Sequence, residues 1–234
     1  MSLDAASIPN HSGALGDAQL TEREHAKWQS FYLDRERRCP FFVSVPDESL
    51  AQWVMQGTVL PGRALDVGCG NGRNAIFLAQ QGFTVEAVDY SRSALAWARQ
   101  RVAEAQVAVT LTSSSIFEYH VDPGTYDLVY DSGCFHHIAP HQRERYVSLI
   151  GSLLRPGGWF GLTCFNPEGG SGYSDDEVYA RGSMGGGLGY SDRRLREIWS
   201  RELRVRILRP MHARDSTADT FGRSLLSTLL AQKT

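Results

Sequence analysis

Apolar positions fall first in a helical rhythm and then in short bursts separated by turns. Trp28, Phe31 and Tyr32 share one face of a helix that the capping signature Thr21-x-x-Glu24 predicts to start at Thr21. Cys39-Pro40-Phe41-Phe42 breaks it, and Pro46, Asp47 and Glu48 open a second helix with Leu50, Trp53 and Val54 turned inward. From Arg63 the pattern alternates. Strands are expected at Ala64–Val67, Val85–Val88, Val107–Leu111, Tyr126–Tyr130 and Trp159–Phe165. Between them lie helices carrying Ala75, Leu78 and Ala79, then Leu95, Ala98 and Val102 behind a Ser91 cap, then Tyr146, Leu149, Ile150 and Leu153. Leu154 to Gly158 reads as a turn. Leu195, Ile198 and Trp199 mark a further helix. Leu203, Val205 and Ile207 alternate with Arg204 and Arg206, a strand with one wet side, and Phe221–Ala231 closes the chain as an antiparallel strand.

This alternation predicts an α/β protein: a doubly wound, Rossmann-like, seven-stranded and mostly parallel sheet with helices on both faces and an antiparallel last strand. Residues 1–20 are small and polar without a period and are expected to form a flexible tail. Residues 21–234 then form a single domain, with 21–60 as an N-terminal helical cover. The segment 166–190 is glycine-rich and acidic at its centre, too long for an idle connection, and is expected to act as a lid or substrate loop.

Composition narrows the function classes. A chain of 234 residues with 42% hydrophobic and 21% charged positions suits one domain with a sizeable core. A net charge of -2 gives no electrostatic grip on nucleic acid or an anionic membrane. No stretch is long and apolar enough to span a bilayer, and no basic-then-apolar leader opens the chain. Cys39, Cys69, Cys134 and Cys164 show neither a CxxC pair nor metal-ligand spacing. The expectation is a cytoplasmic monomer or homodimer with reduced cysteines and no metal, acting on a small molecule.

The chemistry concentrates in Ala64–Gly82. A buried strand leads into glycines at alternate positions, Gly68, Gly70 and Gly72, and then into a helix. The next strand delivers Asp89, and a carboxylate at that place suits a ribose diol. Arg73 stands where a dinucleotide fingerprint requires its third glycine, and the Gly-Lys-Ser/Thr of a P-loop is absent.

The GxGxG turn headed by Asp66 resembles the first motif of the class I S-adenosylmethionine (SAM) methyltransferases. The resemblance runs from Trp28 to Ala231, because Asp89, Tyr126-Asp127-Leu128-Val129-Tyr130-Asp131 and the Leu154–Phe160 run follow in the family's order. Within that superfamily the Gly68–Gly82 run, with Gly72-Arg73-Asn74 and the aromatic helix ahead of it, is most similar to the tellurite-resistance and thiopurine methyltransferases. It implies SAM as cofactor and S-adenosylhomocysteine (SAH) as product. It also implies that Gly68, Cys69 and Gly70 line the methionine and ribose portion, that Asp89 holds the ribose hydroxyls, and that Tyr90 lies beside the adenine. Ser115 and Ile116 occupy the adenine-recognition position. Asp131 and Ser132 meet the methionine ammonium or the incoming nucleophile, and Tyr32, on a helix that closes over the site in relatives, attracts the sulfonium with its ring face.

Several residues carry two readings. Asp66 either reaches the ligand's amino group or braces the glycine turn. Asp131 is a catalytic group or a cap for the segment after it, and His136 is a catalytic base or a hydrogen-bonded structural histidine. His136 and His137, adjacent in an extended segment, would point to opposite sides and share no metal. Cys69 reads as packing, and Arg201, Arg204, Arg206 and Arg209 as a solvated strand edge. After the fourth strand stands Asp131-Ser132-Gly133-Cys134-Phe135, without the Pro-Pro-aromatic tetrapeptide of nucleic-acid base methyltransferases. The expected activity is methyl transfer to a small thiol or chalcogen acceptor. The alternatives are a small-molecule O- or N-methyltransferase and a SAM-binding protein without turnover.

Overall fold

The computed structural model describes residues 13–234. Two helices, α1 (Gly13–Phe31) and α2 (Glu48–Met55), precede the sheet. Strands and helices then alternate as β1 (Arg63–Val67), α3 (Arg73–Gln80), β2 (Thr84–Asp89), α4 (Arg92–Ala105), β3 (Val109–Ser113), β4 (Tyr126–Ser132), α5 (Arg143–Leu153) and β5 (Leu154–Phe165). The chain ends with α6 (Asp175–Arg181), α7 (Asp192–Trp199), β6 (Arg204–Pro210) and β7 (Leu226–Gln232). The seven strands lie in the order β3-β2-β1-β4-β5-β7-β6. Pairings among β1 to β5 are parallel, and β7 runs antiparallel between β5 and β6. The order reverses between β1 and β4, and the crevice at the carboxyl ends of the strands there is where open α/β sheets bind ligands.

Strand alternation sorts the core into two layers. Ala64, Leu128 and Tyr130 pack with Trp53 of α2, Leu78 of α3 and Leu95 of α4. Their neighbours Leu65, Val67 and Val129 pack with Tyr146 and Ile150 of α5 and Trp199 of α7. Ser91 caps α4 as expected, its Oγ accepting from Ala94 N at 3.2 Å.

Four expectations are corrected. Thr21 is an interior position of α1, its Oγ1 donating to the carbonyl of Asp17 at 3.0 Å, so the helix begins well before the capping signature. Residues 13–20, expected in a mobile tail, are therefore helical, with Leu20 buried; residues 1–12 of that expectation lie outside the described residues. Leu154–Gly158 is extended as part of β5 and bulges against β4, where Tyr126 opposes Leu154 and Leu128 opposes Trp159. It pairs with the residue just past β7, Gly157 N donating to Lys233 O and Lys233 N to Gly158 O. The last strand starts at Leu226. Phe221 precedes it in a loop, bridged to Asp47.

The segment 166–190 holds its own helix, α6, started by a capping box between Ser174 and Glu177 and tied to α5 by Arg143 and Asp175. Arg209 is no solvated edge residue. It grips the buried Glu48 with both terminal nitrogens, at 2.7 and 3.0 Å, and fastens α2 to β6.

Candidate active site

The first parallel strand ends in a turn whose glycines take left-handed φ values, +63° at Gly68 and +55° at Gly70. Only glycine accepts that backbone cheaply. Space forbids a side chain as well, since a Cβ on Gly68 would lie 2.8 Å from that of Cys134 and one on Gly70 would strike the Tyr32 hydroxyl. Asp89, at the end of β2, pins this turn. Its Oδ2 accepts from Gly70 N at 2.9 Å and its Oδ1 from Ser91 N at 2.8 Å. Burial outweighs these bonds and raises its carboxyl to about 6.

A cavity of about 850 Å³ opens above this turn, within the size range of ligand pockets. Asp66, Gly68, Cys69, Gly70, Asp89, Tyr90, Ser115, Ile116, Ser132, His136 and Tyr32 all line it. Eleven of the twelve residues singled out from sequence are thus brought to one cavity. Tyr90 stacks on His25 of α1 with centroids 4.1 Å apart. The Ser115 hydroxyl accepts from Phe117 N at 3.3 Å, which fixes the backbone around Ile116. Burial drives the Cys69 thiol far above its usual range, so it packs as a neutral small group.

Asp131 is the exception. It is fully buried behind the wall, where it accepts from Cys134 N at 2.8 Å, from Phe135 N at 3.0 Å and from the Tyr146 hydroxyl. It caps the turn after β4 and does not line the cavity, so the structure sets it apart from the other residues expected at the site. The backbone explains this. Two free amides stand at the start of the next turn, and a carboxylate one turn earlier satisfies both.

His136 and His137 also depart from expectation. They occupy a 3-10 turn, Phe135–His137, in place of an extended segment, so both rings line the cavity with centroids 4.4 Å apart. Burial, with the nearby Lys27 cation, lowers the His136 imidazole to about 3 and keeps it neutral. Among the described residues no group of three or more His, Cys, Asp or Glu gathers in metal-binding geometry.

The pattern along the chain did not reveal the polar floor of the cavity. Arg73 places one guanidinium nitrogen 2.6 Å from Asp47 and 3.1 Å from the Ser132 hydroxyl. Asp47, fully buried, also accepts from the Tyr130 hydroxyl at 2.6 Å. The Arg73 cation sits 4.7 Å from the Phe221 ring centroid. Arginine and aspartate are far apart in sequence, and their only signal was Arg73 where a dinucleotide site has glycine. Trp28 and Phe31 from α1, Phe41, Phe165 and Phe221 complete an aromatic wall facing the glycine turn.

These residues fit SAM. Asp66 lines the cavity, its Oδ2 is buried without a hydrogen-bond partner, and burial raises its carboxyl to about 8. Such an orphaned acceptor suits the ammonium of a methionine moiety. Backbone approach at Gly68 and Gly70 and the carboxylate of Asp89 suit the rest of the nucleoside.

Comparison with known proteins agrees with this geometry. Residues 64–158 match the family described as a methyltransferase domain. An uncharacterised methyltransferase of Synechocystis sp. is 34% identical over 122 residues, 52% of this chain and 52% of the relative. The 2-heptyl-1-hydroxyquinolin-4(1H)-one methyltransferase of Mycobacteroides abscessus is 30% identical over 121 residues, 51% of this chain and 53% of the relative. The matches to these curated relatives thus span about half their length. The 1,6-didemethyltoxoflavin-N1-methyltransferase of Burkholderia thailandensis, solved with 1,6-didemethyltoxoflavin and SAH, shares the fold at 22% identity. It superposes with a TM-score of 0.68 over 99% of this chain and 93% of that one. The matched segment carries the glycine turn and Asp89, and the sheet around it shares the fold of that SAH-bound enzyme. No helix among the described residues is long and apolar enough to cross a membrane.

Proposed function

We propose that the chain is a SAM-dependent methyltransferase acting on a small, planar, largely apolar acceptor whose nucleophile ionises without help from the enzyme: a thiol, a chalcogen or an acidic hydroxyl. One observation carries the reading. A single cavity joins the glycine turn and its two carboxylates to an aromatic wall. When bound, SAM supplies a methyl group on a sulfonium, to whose carbon the acceptor's lone pair bonds as the carbon–sulfur bond breaks, leaving SAH. Because the positive charge is already present and disperses during transfer, the protein's contribution is alignment and exclusion of water, the former worth about 7–11 kcal/mol when geometry is near attack.

The chain's residues serve those two tasks. Gly68 and Gly70 let backbone approach the nucleoside, Asp89 takes the ribose hydroxyls and Asp66 the ammonium. The rings of Tyr32 and Phe41 attract the sulfonium. α1 and the segment 166–190 cover the cavity. The acceptor lies between Phe165, Phe221 and the Arg73 floor. Neither group expected to act as a base is free to do so, since Asp131 caps a turn and His136 has committed Nδ1 to the amide of Phe165 at 3.1 Å.

The narrower likeness to tellurite-resistance and thiopurine methyltransferases supports a thiol or chalcogen. The quinolone and toxoflavin acceptors named for the relatives above, together with the aromatic wall, support a ring system bearing an acidic N-hydroxyl or heteroatom. Incubation with labelled SAM and a panel of thiophenol, hydrogen selenide, 1-hydroxyquinolin-4(1H)-one, phenol and aniline separates these. Methylation of the readily ionised members, with rates following the acceptor's own ionisation, is expected. Transfer to phenol and aniline alone would overturn the acceptor reading, and SAH binding without transfer to any acceptor would leave a binding protein.

A further inference from the structure

A neutral imidazole carries one N–H, and its partners decide which nitrogen holds it. In His136 the Nδ1 accepts the amide hydrogen of Phe165 at 3.1 Å. That amide belongs to the last residue of β5 and cannot reverse its polarity, so the imidazole hydrogen sits on Nε2. The ring is held from several sides. Phe165 stacks on it with centroids 4.2 Å apart, and a Cβ on Gly187 would lie 2.8 Å from its Cδ2. Its own carbonyl accepts from Leu188 N at 2.8 Å, tying the turn to the segment 166–190. The edge left free faces Gly133, where an added Cβ would lie 3.6 Å from Cε1 and 4.0 Å from Nε2, and both residues line the cavity.

We propose that His136 is a hydrogen-bond donor that holds an oxygen of the methyl acceptor through Nε2, so that the site selects acceptors carrying a carbonyl or oxyanion conjugated with the nucleophile. The proposal deepens the methyl-transfer reading and rests on it. A general base at this position would need a lone pair on Nε2, which requires a hydrogen on Nδ1 facing the N–H of Phe165. The titratable groups around the ring are Lys27 from α1 and His137 from the same turn; Phe165 of β5 and Gly187 carry no charge. Burial and the Lys27 cation disfavour an imidazolium, which keeps the donor neutral through the physiological range. A donor aimed at a conjugated oxygen stabilises the ionised acceptor and fixes its orientation without taking a proton.

Two experiments test this. In the free protein labelled with ¹⁵N-histidine, the nitrogen shifts of His136 should show the neutral Nε2–H tautomer from pH 8 down to pH 5. The Nδ1–H tautomer, or an imidazolium at pH 6, would overturn the donor assignment whether or not the protein transfers methyl groups. In the SAH complex, calorimetry with 1-hydroxyquinolin-4(1H)-one and thiophenol compares wild type, His136→Gln and His136→Leu. The leucine variant should lose about 10- to 100-fold in affinity for the hydroxyquinolone, as expected for one hydrogen bond to a charged group, and little for thiophenol. Glutamine, whose amide nitrogen reaches the place of Nε2, should restore most of it. Equal losses for both probes, or no rescue by glutamine, would overturn the selectivity. Failure of wild type to bind SAH at all would instead sink the methyl-transfer reading, with the tautomer result still standing on its own.

Discussion

Replacing Asp89 with asparagine should weaken the loss of SAH affinity on the acid side. The carboxylate offers its oxygens to Gly70 N and Ser91 N at 2.9 and 2.8 Å, and the ribose hydroxyls would add two more donors on the same group. The ionised form is the one that accepts from all of them. In the empty site burial raises this carboxyl to about 6, so protonation competes with the ligand. If only the ionised form binds, the apparent dissociation constant scales as one plus the ratio of protonated to ionised carboxyl. That factor is about 1.1 at pH 7 and about 11 at pH 5, a loss of about tenfold or 1.4 kcal/mol. The sign is opposite for folding. A carboxyl raised above its unfolded value of about 3.9 is protonated in the native state first, so its contribution to stability falls as pH rises from about 4 to 6. Ligand binding reverses that by pulling the proton off. Calorimetry in buffers of different ionisation enthalpy should therefore count about 0.9 proton released by this group at pH 5 and about 0.1 at pH 7. Asp66, raised to about 8, adds its own release at both pH values, so the quantity to read is wild type minus variant. The asparagine side chain of the Asp89→Asn variant keeps one acceptor and has no proton to lose. Its affinity at pH 7 should fall by about 1.5–3 kcal/mol, and the difference between pH 5 and pH 7 should shrink. A variant with wild-type affinity at pH 7, or with an undiminished proton release at pH 5, would refute the ribose role.

Gly70→Val should abolish SAH binding while leaving a cooperative unfolding transition, because the new side chain meets the Tyr32 hydroxyl at a backbone φ of +55°; retained affinity by calorimetry would contradict the cradle. Arg73→Met leaves Asp47 buried with its main cationic partner gone and should cost about 3–5 kcal/mol in urea unfolding, with part of that recovered in Arg73→Met/Asp47→Leu. Hydrogen exchange within α1 and residues 166–190 should slow when SAH is added, while β1 and β4 change little; equal protection with and without ligand counts against a cover.

Local chemistry was legible and long-range pairing was not. The sheet declared itself because strands buried on both faces read as apolar bursts, and the glycine turn because alternate glycines answer a backbone need. The helix start at Thr21 misled because its capping signature recurs inside α1, where the hydroxyl turns back to Asp17 O instead. Leu154–Gly158 has turn composition, yet its backbone partner lies near the opposite end of the chain, at Lys233. Asp131 and His136 show the same limit in the site. Each has a side chain suited to catalysis, and each is committed by amides whose position only the folded backbone sets, Cys134 and Phe135 for the one and Phe165 for the other. The pair Arg73 and Asp47 joins the start of α3 to the start of α2, a contact no spacing rule reports.

The contact between α1 and the start of α4 bears on the order of events. Ser91 Oγ and Ser93 Oγ donate to the carbonyls of Trp28 and Gln29, and Arg92 N donates to the Gln29 side chain. Ser91 N is also the group that holds Asp89 Oδ1. The roof therefore hangs from the very residues that shape the ribose seat. Lifting α1 would loosen Ser91 and with it Asp89, so opening for entry and weakening of the nucleoside seat are one motion. Under the proposed methyl transfer this coupling predicts an ordered sequence, with the methyl donor binding before the acceptor and the spent nucleoside leaving last; product-inhibition kinetics showing random order would refute it.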